Sequence, residues 1–407
     1  MARNLLTADQ VAARLGVKVA TVYAYVSRGQ LTRTVADDGR TSRFDPAEVD
    51  RLAQRGRPRA SSRRVGSVNV VLATAITEIA DRRLRYRGHD AVELAREATY
   101  EAVAELLWTG ELGGPQRWEA RPEAQRAARA VTGLFPDARD ELTDVSERCA
   151  AVIALAAASD PLRVDLRPDS VMAQARSLIH VLVTSLPMRQ PAFVEREGRR
   201  RHLAWQLWPR ISPLRPSRPR ARVLDAALVL LADHELATST LAARVAASTR
   251  ADPANVVLAA LGTVSGPLHG KSAVGVHRLL ADADRTGEPE AAVARALGSS
   301  PHLPGFGHVV YRDGDPRADA LLTMLEPLES RRARAAITGV RRGAERVGAG
   351  PPNVDFALGA LAHVAQAPLG ATEAVFVVAR TAGWVAHALE EYGEAALRFR
   401  ARALFTG

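Results

Sequence analysis

Apolar residues at helical spacing, ending again and again in short glycine-rich breaks, constrain this chain more than any other feature. The stretch ADPANVVLAALGTVS, residues 251–265, sets alanines and leucines three and four apart and stops at Gly266. Aromatic residues supply only 5% of the chain while alanine, leucine and arginine abound, so a mainly all-α fold is expected. With 407 residues and 47% apolar composition the chain can bury a large core, divided over two or three domains. The break GPLHGKS, residues 266–272, imitates the end of a nucleotide-binding P-loop. Three residues rather than four separate Gly266 from Gly270-Lys271-Ser272, however, and a helical pattern rather than a strand precedes it. What remains is His269 between glycines, where backbone can approach a ligand closely.

Several function classes fall away. The longest apolar runs, such as AVIALAAA, are far shorter than the roughly 18 residues of a membrane span. The opening MARNLLTADQVAARLG has no apolar signal core, so neither export nor a membrane anchor is expected. One cysteine, Cys149, excludes an internal disulfide and a cysteine-based zinc site, which suits a cytoplasmic protein with no metal. The net charge of +10 is uneven. Residues 1–64 hold 13 Lys and Arg against 6 Asp and Glu, whereas the remainder is nearly balanced, which points to nucleic acid as a partner of the N-terminal segment.

In that segment Thr7 and Gln10 have capping-box spacing, Val11 and Leu15 share one helical face, and Gly16 interrupts before a second helix carrying Val19, Val22 and Val26. ADDGR reads as a turn, TSRF as a short strand, and Pro46 as the start of another helix. Residues 1–56 thus resemble the winged helix-turn-helix domains of excisionases and mercury-resistance-type regulators. The resemblance implies that the second helix enters the major groove, with Lys18, Thr21, Tyr23 and Arg28 near bases or phosphates and Arg40 and Arg43 on the wing. Residues 57–67, rich in Arg, Pro and Ser, read as a basic flexible linker.

Three more clusters each set an ionisable residue beside a chain break. LADHELATST places His234 near a helix start, PGFGHVVYRDGDPRADA puts His308 in a glycine loop and Arg317 beside Pro316, and GAGPPNVDFALGAL sets Asp355 after a Gly/Pro loop. With GPLHG, ARTAGWVAH and RARALFTG they form an ordered series that resembles the citrate synthase family from about Val68 to Gly407. The resemblance implies an all-α homodimer, with a large domain over 68–270 and 379–407 and a small one over 271–378. It also implies oxaloacetate and acetyl-CoA or propionyl-CoA as substrates, with acyl-CoA a co-substrate and no further cofactor. Forming a carbon–carbon bond from a thioester needs a base for a weakly acidic C–H and a donor for the enolate oxygen. By resemblance Asp355 is that base, His269 that donor, and His308 the group that polarises the oxaloacetate carbonyl. His234, Arg317, Arg380 and Arg400 match the family's dicarboxylate contacts, Arg400 reaching the other subunit's site; planar guanidinium forks suit carboxylates.

The chain departs from the family's pattern at Lys271-Ser272-Ala273-Val274, at Ala237 where asparagine is common, and at Ala401 between Arg400 and Arg402. These leave the acyl group open, and Lys271 reads either as a contact to a CoA phosphate or an extra carboxylate, or as a solvated lysine. Residues 195–222 read as a basic, proline-broken surface connection. The competing function is a DNA-binding regulator whose body senses oxaloacetate, citrate or acyl-CoA. Retention of Asp355 favours catalysis, because a sensor needs the arginines but not the base.

Overall fold

The computed structural model describes residues 5–15, 17–27, 31–35, 41–46, 48–49, 70–114, 117–135, 142, 144–189, 202–266, 272–300 and 302–400. The chain divides into two compact units, 1–72 and 73–407. In the first, α1 (Ala8–Leu15) and α2 (Val19–Ser27) accompany a three-stranded antiparallel sheet of β1 (Leu6–Thr7), β3 (Ser42–Phe44) and β2 (Thr34–Val35), in that order. The expected capping box forms reciprocally: Thr7 N donates to Gln10 Oε1 (2.9 Å) and Gln10 N to Thr7 Oγ1 (3.3 Å). Val11, Val22, Leu31, Phe44 and Val49 fill a small separate core, so the helix pair and the sheet hold one another together.

The second unit opens with a hairpin-like sheet of β4 (Thr77–Ala80), β5 (Arg83–Tyr86) and β6 (His89–Asp90). Helices follow: α3 (Ala91–Glu97), α4 (Tyr100–Thr109), α5 (Pro122–Leu134), α6 (Val145–Ala158), α7 (Pro168–Thr184), α8 (Leu203–Ile211), α9 (Arg218–Leu231), α10 (Thr238–Ser248) and α11 (Pro253–Val264). Then come α12 (Ser272–Thr286), α13 (Pro289–Ser299), α14 (Pro316–Leu325), α15 (Arg331–Arg346), α16 (Val354–Val364) and α17 (Ala371–Tyr392). Helix α17 is the axis of the core. It is buried from Ala371 to Ala388 and packs against α4, α7, α9, α10 and α11, as expected of a helix that is apolar on nearly every face.

The mainly helical expectation holds, and GPLHGKS is preceded by a helix rather than a strand. One expectation fails: 195–222 is not a surface connection throughout. Leu203, Leu207 and Ile211 lie four apart and are buried in α8, and α9 begins at Arg218; the surrounding arginines and Pro209 hide this spacing in the sequence. The linker expected over 57–67 lies outside the described residues. Among the described residues no helix is long and apolar enough to cross a membrane, and no cluster of His, Cys, Asp and Glu could hold a metal ion.

Candidate active site

Three chain breaks and the middle of one helix deliver the site: the turn between α9 and α10, the loop before α14, the loop before α16, and the centre of α17. The two loops are stapled together. Gly307 N donates to Pro351 O (2.8 Å), Asn353 N to Gly305 O (2.9 Å) and Asn353 Nδ2 to Gly307 O (2.8 Å). Gly305 is required there, because its φ is +82° and a Cβ would stand 2.5 Å from Val276 and 2.9 Å from Phe356. Asn353 Oδ1 then caps α16 by accepting from Asp355 N (3.0 Å) and Phe356 N (3.3 Å), which fixes Asp355 in the first turn.

Asp315 performs the matching task for Arg317. Its carboxylate caps α14 by accepting from Arg317 N (3.0 Å), takes the Arg317 side chain through Nε (2.9 Å) and Nη2 (2.8 Å), and accepts from Val354 N (3.0 Å). Arg317 and Asp355 are therefore tied to one another through a buried carboxylate. The Asp315 charge and bonds outweigh the burial of Arg317, and its pKa lies above the ordinary arginine value.

His308 Nδ1 accepts from Val310 N (3.0 Å) and Tyr311 N (3.3 Å). With Nδ1 an acceptor, the neutral ring carries its proton on Nε2, which makes Nε2–H a donor. The His308 and His234 rings meet edge to face at 5.5 Å, and Tyr311 packs against both at 5.0 and 5.6 Å while the Arg317 guanidinium lies 5.2 Å from its centre. Arg380 enters from α17, its Nε donating to Leu231 O (2.8 Å) and its guanidinium over the Phe376 ring at 4.8 Å. Burial, with Arg317 and Arg380 nearby, pushes the His234 pKa well below the histidine range; burial and Arg317 lower that of His308. Both imidazoles are thus neutral at pH 7. Burial raises the Asp355 pKa, a bond from the Ser272 side chain and the charge of Arg317 working against it.

The structure thus brings together His234, His308, Arg317, Arg380 and Asp355. His269 and Lys271 lie outside the described residues, though Ser272, three residues after His269, reaches Asp355. Arg400 is exposed at the end of the described chain. Sequence reasoning missed Tyr311, Asp315 and Ser272. Asp315 had a legible signal, an aspartate before a proline that opens a helix; Ser272 stood in a departure from the family pattern with no role read for it, and Tyr311 had no signal. Tyr311 is buried with its hydroxyl unpartnered among the described residues, as is His234 Nε2.

In the N-terminal unit Lys18 is exposed and Thr21 half-buried. Tyr23 is partly exposed and donates to Ser42 Oγ (3.2 Å), bracing α2 against β3. Arg43 donates to Leu5 O (3.4 Å), and Arg28 and Arg40 lie outside the described residues.

A family model described as citrate synthase, C-terminal domain, matches residues 67–402. The chain belongs to the citrate synthase family. A second model, a helix-turn-helix domain, matches residues 5–57. A citrate synthase of Haloferax volcanii is 32% identical over 348 residues, spanning 80% of this chain and 90% of that protein. A 2-methylcitrate synthase of Corynebacterium glutamicum is 27% identical over 349 residues, with 76% and 85% covered. Among solved structures, the citrate synthase of Pyrobaculum aerophilum superposes with a TM-score of 0.66 at 25% identity, covering 83% of this chain and 90% of that one. The citrate synthase of Thermoplasma acidophilum, solved with carboxymethyl coenzyme A and oxaloacetate, also gives 0.66, at 23% identity with 83% and 94% covered. This citrate synthase family member therefore carries a helix-turn-helix domain ahead of the family's all-α fold.

Proposed function

We propose that the protein condenses an acyl-CoA with oxaloacetate, acetyl-CoA giving citrate or propionyl-CoA giving 2-methylcitrate, and that its N-terminal domain binds DNA. The convergence of a neutral Nε2–H donor at His308, two buried guanidinium groups and the Asp355 carboxyl carries this reading. Asp355 takes a proton from the carbon next to the thioester, and His269 donates to the enolate oxygen. The new nucleophile attacks the oxaloacetate carbonyl, whose developing charge is met by His308 Nε2–H. Arg317, Arg380 and His234 hold the dicarboxylate, joined by Arg400 from the other subunit of a homodimer, and hydrolysis of the thioester releases CoA. Acyl-CoA is a co-substrate, and the scheme calls on no other cofactor. A cavity of about 620 Å³ beside Phe306, lined by Thr338, Arg341, Arg342 and Pro351, suits part of the CoA.

In this reading 68–270 with 379–407 forms the large domain and 271–378 the small one that closes on it, and 57–67 is the tether to the DNA-binding domain. Cys149, free and buried, with its thiol pushed up to about 12 by burial, fits a reducing cytoplasm. The deciding assay is release of CoA thiol from oxaloacetate with acetyl-CoA or propionyl-CoA. We expect turnover with at least one thioester and none from Asp355→Ala; turnover that survives the substitution removes the base from the scheme.

The helix-turn-helix match and the exposed Lys18 favour a second reading, in which the body senses oxaloacetate, citrate or acyl-CoA for a regulator. Lys18, Thr21, Tyr23, Arg28, Arg40 and Arg43 are the DNA contacts in either case. That reading expects DNA affinity to change when oxaloacetate and an acyl-CoA analogue are added together; constant affinity across saturation argues against it.

A further inference from the structure

Behind the site, α17 and the end of α9 are joined by three successive rungs. Arg380 Nε donates to Leu231 O (2.8 Å), Gly383 N to Ala232 O (3.1 Å), and His387 Nε2 faces Asp233 Oδ2 at 3.3 Å. Gly383 permits this approach, since a Cβ there would stand 2.3 Å from Asp233 Oδ1. The third rung differs from the others because it is made of side chains, and both are fully buried. Its polarity is dictated from the far side. Arg244 Nη1 lies 3.0 Å from His387 Nδ1, and arginine has donors only, so Nδ1 must accept. The His387 proton is therefore on Nε2 and points at Asp233. Arg244 is itself buried and held by Glu391 (3.0 Å) and Glu390 (2.5 Å), and Glu391 takes Arg398 through two bonds of 2.7 Å. Thr77 Oγ1 donates to the same Asp233 oxygen at 2.6 Å.

We propose that His387 is a positioning residue of the dicarboxylate pocket: locked in one tautomer by Arg244, it anchors the Asp233 carboxylate and so fixes both His234, the next residue, and Arg380, two helical turns earlier on α17. The electrostatics agree with the geometry. Burial alone would raise the Asp233 pKa, but His387, Arg380 and Thr77 together bring it below the ordinary carboxylate value. Burial lowers the Arg380 pKa, and the Asp233 charge is the largest influence opposing that. Each buried site arginine thus has its own carboxylate. Arg317 has Asp315 in direct contact, and Arg380 has Asp233, whose backbone is held by the Tyr86 hydroxyl and whose carboxylate is held by His387 and Thr77.

This inference rests on the proposed condensing reaction, and its test separates the two. Full-length His387→Leu, His387→Gln and Thr77→Val are compared with the unaltered protein, varying oxaloacetate and acyl-CoA in turn. Glutamine can accept from Arg244 and donate to Asp233, whereas leucine can do neither. His387→Leu should raise KM for oxaloacetate about tenfold or more and leave KM for acyl-CoA within about twofold, while His387→Gln returns the oxaloacetate KM to within about threefold of the starting value. Where His387→Leu does not fold, Thr77→Val carries the comparison, with a smaller rise confined to oxaloacetate. Equal rises in both KM values, no rescue by glutamine, or an unchanged oxaloacetate KM in Thr77→Val overturns the assignment. If the unaltered protein binds oxaloacetate by calorimetry but does not turn over, the condensing reading fails alone and the same comparison is read in Kd. A protein that neither turns over nor binds oxaloacetate overturns both.

Discussion

Replacing Asp315 by asparagine should be among the most damaging single-atom changes in the molecule. Each carboxylate oxygen of Asp315 accepts two bonds, Oδ1 from Arg317 N and Nε, and Oδ2 from Arg317 Nη2 and Val354 N. In asparagine one oxygen becomes an NH2, and whichever way the amide turns, that NH2 faces two donors. The Arg317 guanidinium is buried and would lose its only ion-pair partner among the described residues. Breaking a buried pair from one side costs about 3–5 kcal/mol. Against a total stability of about 5–15 kcal/mol this leaves a marginal fold. Urea unfolding followed by tryptophan fluorescence is the suitable assay, because all five tryptophans lie between residues 108 and 384 and report on the second unit alone. The midpoint should fall accordingly, and in surviving folded protein the KM for oxaloacetate should rise, since Arg317 is no longer aimed. A loss under about 1 kcal/mol with unchanged kinetics would falsify the view that Asp315 orients Arg317.

Three further outcomes follow from the same geometry. Ser272→Ala removes a bond that lowers the Asp355 pKa, so the acid limb of the pH–activity profile should move to higher pH while the plateau above it is kept; an unmoved limb would separate Ser272 from the base. Ala237 occupies the N-cap of α10 with extended backbone and no side-chain bond, so Ala237→Asn should stabilise the protein by about 0.5–2 kcal/mol in the same urea assay, and no gain would mean that the amide cannot reach the α10 N–H groups. His234 and His308 are held neutral in the folded state, with pKa values below that of the unfolded chain. Their contribution to stability is complete above the ordinary histidine value and is lost progressively as pH falls from there through the lowered folded-state values, so lowering the pH from about 7.5 to about 5 should destabilise the protein, less so in His234→Gln; equal slopes in the two proteins would remove His234 from the cause.

Part of the site could be read from the chain because several groups sit beside a glycine or proline break, whereas Arg380, in the middle of α17, came from the family resemblance alone. His308, Arg317 and Asp355 follow such punctuation, and helix termini are where polar groups find partners and can face a cleft. What stayed hidden is what depends on distant chain. Thr77 and Asp233 are 156 residues apart and Asp233 and His387 154, with no local pattern linking them. Tyr311 looks like any loop aromatic until three site groups are found around its ring. Helix α8 escaped for the opposite reason: its apolar stripe is sound, but the arginines and Pro209 around it carry the stronger local signal for a loop.

The staple between the loops before α14 and α16 has a further consequence. His308, Arg317 and Asp355 all hang from that joint, through Asn353 and Asp315, whereas Arg380 on α17 is pinned to Leu231 at the end of α9, three residues before His234. The site groups thus come from two hydrogen-bonded sets, and the rings of His308 and Tyr311 meet that of His234 where the sets face one another. A dicarboxylate held at one end by Arg317 and at the other by Arg380 would be a rivet between those sets. In the proposed reaction His308 and Asp355, hung from one joint, would keep their mutual spacing if the two sets moved, and the dicarboxylate would hold the sets together.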